Sequence, residues 1–372
     1  MSKIFKISIF LFVLFLFAPR LAHADPPDEL DYKETYVRAT VIQVLQQGLQ
    51  NTSGEKVYSE KLKVQLNEGK EKGKVITVGY QTDATFGVQQ QLSIGSQLII
   101  DSKPLATGHM FYAVYQPYGI QNLWWMLGIF VFLLFLVVGL RGIGAIIGLF
   151  ISLGVILWYI VPSILQGQNP LLVCIIGSLF ILPVTTYIAH GISLKTTVAL
   201  IGTSLSLLLA AFFSFLSIHF LYLLGLGDES AYALQLATNH PINLQGLLLG
   251  GIIIGTLGAL NDITTTQAIT IFTLARENPK QRVRHLFWKS MHIGREHIIS
   301  MINTLVLAYA GSSLVVFLFF AFNPAHLPWW MILNDQTTLE EIVRALIGSS
   351  ALMLAVPITT LIGSSIALRK AI

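Results

Sequence analysis

Charge and cysteine are scarce in this sequence. Only 11% of its 372 residues are Asp, Glu, Lys or Arg, while 54% are hydrophobic and the mean hydropathy is +0.68. That balance excludes an ordinary soluble domain and describes a polytopic membrane protein. The one cysteine, Cys174, lies in an apolar run, so an intrachain disulfide is excluded. No G-x-x-x-x-G-K-[ST], H-E-x-x-H or G-x-S-x-G occurs, so nucleotide-driven transport by this chain alone and common hydrolase chemistry have no residues to carry them. His292 and His297 are five apart, off the i,i+4 spacing that puts two ligands on one helix face. No metal, no cofactor and no catalytic group is expected. "GLGD" at Gly225 to Asp228 matches a short signature of intramembrane aspartyl proteases, with Asp262 as a second acid able to share a proton. Asp228 sits in a connection beside Glu229 and Ser230, however, and no second-acid motif accompanies it.

What is present is unevenly distributed. Residues 1–24 carry Lys3 and Lys6, an apolar run from Ile7 to Ala18 and Ala22-His-Ala24, the pattern of a secretory signal peptide, with an uncleaved anchor as the alternative. Residues 25–119 form an extracytoplasmic domain with strands expected at 37–44, 61–66, 73–80 and 96–102, where β-branched residues alternate with polar ones. Four or five strands in so short a segment imply a small β-rich domain, an OB-like barrel or a sandwich. The formal charge of +4 is no nucleic-acid signal, because the basic residues lie beside apolar segments or in this domain.

Residues 120–372 form an all-α bundle of about seven transmembrane helices, expected at 122–140, 142–161, 171–190, 197–224, 245–273, 297–321 and 343–368. With the β-rich domain outside, the inner connections hold Arg141, Lys195, Arg276, Lys280, Arg282, Arg284, Lys289, Arg295, Arg369 and Lys370, and Arg344 alone falls near an outer end. This asymmetry places the protein in a bacterial inner membrane, multi-pass, with its C-terminus cytoplasmic.

A repeat lies within the spans. "PVTTYIAHGISLK" from Pro183 and "PITTLIGSSIALR" from Pro357 share Pro, Thr, Thr, Ile, Ile and Leu and close on a basic residue. Each ends a three-span group, which suggests a parallel 3+1+3 arrangement of the kind that builds transporters around a site at the repeat interface. The alternative is chance recurrence, with Thr bonding the backbone that Pro frees.

The segment "GTLGALNDITTTQAITIF" from Gly255 places a carboxylate in a greasy span. Asp262 is about 25 Å from Gln245 and about 21 Å from Arg276 along a helix, near the middle of the membrane, where acids usually face a bundle interior or water. Thr265 and Thr266 share its face, and Gly251, Gly255 and Gly258 permit close helix approach or a break. Asn261 or Asp262 then either caps a helix that restarts after the glycines or belongs to a cation or proton site in a broken helix. The sixth span adds Glu296, Ser300, Asn303 and Thr304 on one face. Glu296 is either functional or paired with the basic loop, and a buried Asn303 would require partners. Glu341 and Arg344, at i and i+3, form an expected interfacial ion pair.

"GTLGALNDITTTQAI", "GREHIISMINTLVLAYAGSSL" and "EEIVRALIGSSALMLAVPITT" resemble the YibE/F-like membrane proteins, whose pattern is G-A-x-x-D, then G-R-D/E leading to N-T-L-I-L-A-Y-x-G, then E-x-x-R before a proline-containing helix. The resemblance implies an exported N-terminal region before the multispan part. It puts the family's acids on Asp262, Glu296 and Glu341, its amide on Asn303 and its basic residues on Arg295 and Arg344. The chain departs from it at Thr264, Thr265 and Thr266, where the family often has small residues, and at "YQPYGIQN", which lacks acidic and arginine residues. The expected function is a permease for a small solute or ion, with Asp262, Thr265, Thr266 and Asn303 lining a polar site. The alternative is a non-transporting accessory subunit. Expected partners are membrane lipid and a second membrane subunit or a second copy of the chain.

Overall fold

The computed structural model describes residues 35–52, 55–69, 71–83, 92–104, 110–139, 142–238, 241–323 and 325–369. The expectations for the signal segment, Arg141 and Lys370 lie outside the described residues. The chain divides into two compact units, the second beginning at Val138.

The first unit contains a five-stranded antiparallel sheet of β1 (Thr35–Thr52), β2 (Glu55–Leu66), β3 (Val75–Asp83), β4 (Gln97–Pro104) and β5 (Met110–Pro117). The order is β3-β2-β1-β4-β5. β1 pairs with β2 to its end and with β4 over Thr35 to Thr40, and its register shifts twice after Val41. Alternation in these strands turns Val37, Ala39 and Val41 toward Leu62, Val64, Leu66, Leu98 and Ile100 in one apolar core. The outer strands β3 and β5 approach each other, so the sheet curls into the barrel alternative rather than a sandwich. The sequence pattern misses β5 because "MFYAVYQP" has a run of apolar and aromatic residues with no polar alternation, and it is never fully buried on either face.

Polar contacts fasten this sheet. Arg38 pairs with Glu68 and stands 5.4 Å from the Tyr118 ring centre. Glu71 accepts from the Tyr112 hydroxyl and from Lys74 Nζ at 2.9 Å. The two hydrogen bonds hold the Glu71 carboxyl below its ordinary range, while burial and the same carboxylate push the Tyr112 phenol up to about 12. The first unit ends with α1 (Ile120–Val138), apolar and long enough to cross a membrane.

The second unit holds α2 (Gly142–Leu165), α3 (Pro170–His190), α4 (Leu194–Leu221), the short α5 (Glu229–Ala237), α6 (Leu244–Glu277), α7 (Val283–Ser312), α8 (Leu314–Phe322), the short α9 (Trp329–Leu333) and α10 (Gln336–Arg369). Among the described residues, six helices including α1 are long and apolar enough to span. The pair α7 and α8, bent by 64° at Ser313, makes a seventh if taken together, matching the seven expected segments. Polar residues set the starts: Asn169, Ser193 and Asn243 each accept a backbone N–H of the following first turn. In α2 a wide turn at Ile156–Ile160 precedes Pro162, which has no N–H to give to the helical ladder.

The bundle is apolar outside and hydroxyl-rich inside. On α4, Phe212, Phe215 and Phe220 are exposed, while Thr203, Ser206 and Ser214 are fully buried. Lipid gives helices no hydrophobic reason to associate, so small residues and interhelical hydrogen bonds do that work. Gly202 of α4 shows how close the approach is, since a Cβ there would lie 2.2 Å from the Thr359 hydroxyl of α10. At the centre is α6, packed against α3, α4, α7 and α10.

Candidate functional site

Helix α6 runs unbroken for 34 residues through the glycines. This corrects both sequence-based accounts of the segment: no broken helix forms at mid-depth, and neither Asn261 nor Asp262 is a cap, because the cap is Asn243, whose side chain accepts from Gly246 N at 2.9 Å. Glycines weaken a helix by about 1 kcal/mol each in water. Where packing on four sides and a solvent without hydrogen-bonding groups oppose opening, they do not break it.

Two amides of α6 are clamped by the repeated Pro-Thr-Thr motifs. Thr186 Oγ1 of α3 donates to Asn261 Oδ1 at 2.8 Å, and Gln267 Nε2 donates to Thr360 Oγ1 of α10 at 2.8 Å. Thr186 and Thr360 occupy the same position of "PVTT" and "PITT", so the two copies grip one helix on faces about 120° apart. The backbone explanation does not hold as expected: Thr185 Oγ1 donates to Ile181 O and Thr360 Oγ1 to Val356 O, whereas the carbonyls that Pro183 and Pro357 leave without a helical donor are those of Leu179 and Met353. Pro183 and Pro357 lie inside continuous helices. The sequence reading missed Gln267, which is fully buried, also donates to Ser290 O at 3.0 Å and leaves its own oxygen unpartnered. An amide five residues from the nearest acid, off the i+3 and i+4 spacing, carries no periodic signal, and only packing reveals it.

Thr264, Thr265 and Thr266 part company in space. Thr264 Oγ1 meets Thr203 Oγ1 of α4 at 2.5 Å, and Thr266 is half-buried. Thr265 is buried, its hydroxyl has no partner, and it lines a crevice of about 420 Å³ with Ala189, His190, Lys195, Thr196 and Ile269. The crevice lies where α3 ends, α4 begins and α6 passes between them. Asp262 is exposed and shares its face with Thr265 and Ile269 at i, i+3 and i+7. It stands one turn beyond the crevice, flanked on its exposed stripe by Gly255 and Gly258.

The acid and the amide of α7 are elsewhere. Glu296, Ser300, Asn303 and Thr304 are all exposed, on the side opposite Ser290 and Gly294, which pack inward. Asn303 is therefore not the buried amide expected from sequence. The half of α7 that packs does so through Gly294, where a Cβ would meet Val356 at 2.6 Å and Gln267 at 2.9 Å. The expected pair of Glu341 and Arg344 is present at 3.5 Å, and Ser313 Oγ also donates to Glu341 at 2.9 Å.

The "GLGD" segment has a structural account. Gly225 has φ +77, and a Cβ there would lie 2.3 Å from Leu244 O. Gly227 N donates to the buried Glu340 at 3.1 Å. Asp228 caps α5 by accepting from Ser230 N at 2.8 Å. Glu340, which the sequence reading passed over for its neighbour Glu341, anchors this connection. Among the described residues no group of three or more His, Cys, Asp or Glu could hold a metal ion.

Apolar spans around a hydroxyl-rich core, with a polar crevice at one end of the central helix, define a multispan integral membrane protein. Residues 126–369 match the YibE/F-like protein family, and the chain belongs to it. No match was found among curated proteins or among solved structures.

Proposed function

We propose that this protein is a permease for a small hydrophilic solute or ion, and that the solute enters the crevice between α3, α4 and α6. The observation that carries this reading is Thr265. Its buried, unpartnered hydroxyl forms part of the wall of a cavity of about 420 Å³, in a helix whose other buried polar groups mostly serve packing. Among the described residues the hydroxyls of Ser178, Ser214, Ser290, Ser349, Thr359 and Ser364 are also buried without a partner, but Thr265 alone of these lines the cavity, where a ligand or water can complete its bonding. Asp262, one turn deeper on the same face, supplies the charge that an ion or proton would meet next. No catalytic step is assigned to any residue. The basic residues Lys195, Arg276, Arg284 and Arg369, in terminal turns of α4, α6, α7 and α10, and Lys280 and Arg282, in the connection between α6 and α7, all fall on one side of an up-and-down bundle. That supports a bacterial inner-membrane location with this side cytoplasmic.

The test is flux in proteoliposomes across a panel of inorganic ions and small organic acids, amines and sugars. The wild type should move at least one of them above protein-free liposomes, and Thr265→Val or Asp262→Asn should reduce that flux at least tenfold. Full flux in both variants would remove this site from the pathway.

A second reading has its own observation. Glu296, Ser300, Asn303 and Thr304 form an exposed polar row on α7, and such a row at membrane depth is costly against lipid. A second copy or another membrane subunit packed there would satisfy it, as an accessory role requires. Single-molecule photobleaching counts in native nanodiscs decide between one copy and several.

A further inference from the structure

The mouth of the crevice carries Lys195, and among the described residues no carboxylate pairs with it. The helix α3 ends at His190, and Gly191, at φ +75, turns the chain so that α4 starts three residues later. The two ends are tied by the Tyr187 hydroxyl to Thr197 Oγ1 contact at 3.1 Å, which holds the mouth in a fixed geometry. The first turn of α4 carries N–H groups with no acceptor inside the helix. One of them, Thr196 N, is used by Ser193 Oγ at 3.3 Å, while those of Leu194 and Lys195 precede the first helical bond. These groups and the dipole of a 28-residue helix favour a negative charge at this end. Lys195 lines the crevice and, among the described residues, has no ion-pair partner. Thr265 offers its unpartnered hydroxyl from the facing wall.

We infer that the crevice binds an oxyanion, of phosphate or carboxylate type, through the Lys195 ammonium, the first-turn N–H groups of α4 and the Thr265 hydroxyl. The anion is carried by a small solute or by a lipid headgroup, since the proposed orientation, read from the basic residues at this end of the helices, puts the start of α4 at a membrane surface. Asp262 is about 10 Å from Ile269 along the helix axis, beyond Thr265, so it does not compete for the anion at the mouth; the charge it meets deeper in is the proton or cation that moves with the anion. His190, the other titratable group on the wall, adds positive charge when protonated and donates a ring N–H when neutral. The inference rests on the crevice as the solute site and names the class of solute.

The experiment uses the full chain in nanodiscs and two probes. In phosphatidylcholine nanodiscs, inorganic phosphate is titrated by calorimetry. In nanodiscs containing phosphatidylglycerol, lipid retained on the released protein is read by native mass spectrometry. A free oxyanion ligand gives phosphate binding that Lys195→Gln weakens about tenfold or more and Thr265→Val weakens by less. Lys280→Gln, outside the crevice, leaves it unchanged. A headgroup ligand gives phosphatidylglycerol retention that Lys195→Gln abolishes. Lys195 is exposed, and an unchanged melting temperature of the variant excludes misfolding. If neither phosphate nor phosphatidylglycerol binds, or if both bind equally well to Lys195→Gln, the inference is wrong. Flux in proteoliposomes separates this result from the permease reading. Lys195-dependent binding without flux removes the permease and keeps the oxyanion site, whereas flux of a cation or neutral solute without either binding removes the oxyanion site and keeps the permease.

Discussion

Gln267 Nε2 lies 2.8 Å from Thr360 Oγ1 and 3.0 Å from Ser290 O, so a single buried amide joins α6 to α10 and α7. The pair Thr186 and Asn261 does the same between α3 and α6 at 2.8 Å. A bundle without a hydrophobic drive for association depends on such bonds and on close packing. The first prediction follows. In a double-mutant cycle of Gln267→Leu and Thr360→Val, measured by reversible unfolding in mixed detergent, the coupling energy should be about 0.5–2 kcal/mol. A coupling near zero would mean that the amide is held by shape alone.

The second prediction concerns two glycines of different surroundings. Gly202→Ala places a Cβ 2.2 Å from Thr359 Oγ1 and 3.1 Å from Thr359 Cβ, so α4 and α10 must separate at a cost of about 1–3 kcal/mol. Adding Thr359→Ala removes the nearer clash and should restore part of the loss. Gly258→Ala meets nothing within 4 Å and should be neutral, or stabilising by up to about 1 kcal/mol through helix propensity. Melting temperatures of the three variants check this. A destabilising Gly258→Ala would show that a partner helix packs closely on the stripe beside Asp262.

The third prediction is a pH profile of the β-unit. Glu71 is held below its ordinary range, first by the Tyr112 hydrogen bond and then by Lys74. Its contribution is complete above the ordinary carboxylate value and is lost as pH falls through the lowered one. Tyr112 is raised to about 12, by burial and by Glu71. Its contribution is complete below the ordinary phenol value and is lost as pH rises through about 12. Hydrogen exchange protection of β5 should therefore be flat across neutral pH and fall at both extremes. Tyr112→Phe should remove the alkaline fall and weaken the acid one.

Much of this architecture was legible in the chain because the membrane restricts the choices. Length and hydropathy located most helix ends within about four residues, but α7 begins at Val283 and α10 at Gln336, 14 and 7 residues before the expected 297 and 343, because their polar first turns carry no apolar signal; alternation located most of the β-strands. The site was less legible. Asp262 stood out as a charge in an apolar run, yet its segment stays helical because α3, α4, α7 and α10 surround it. Glu341 and Arg344 were found by spacing. Glu340 was missed, because which of two adjacent acids turns inward depends on the Gly225 to Asp228 connection more than a hundred residues away. The repeat was seen as a motif, while its use of Thr186 and Thr360 to grip Asn261 and Gln267 depends on tertiary packing. Lys195 was counted only as a topological charge.

The fourth prediction separates function from stability at Asp262. The residue is exposed and, among the described residues, makes no hydrogen bond or ion pair. Asp262→Asn should leave the melting temperature in detergent within about a degree or two while flux falls, since surface substitutions without partners change stability by about 0.5 kcal/mol or less. A clear loss of melting temperature in the monomeric, detergent-solubilised variant would place Asp262 in a structural bond.

The most direct test of the central claim, that water and solute reach Thr265 through the crevice, is thiol accessibility. The chain has one cysteine, Cys174, which is buried, so Cys174→Ala supplies a clean background. In that background Thr265→Cys and Ile269→Cys should react with a small membrane-impermeant thiol reagent applied to one side of sealed vesicles. Leu361→Cys, on an exposed apolar face of α10, should not react, because a thiol in lipid does not ionise. If Thr265→Cys stays as unreactive as Leu361→Cys from both sides, the crevice is closed to water and the account fails.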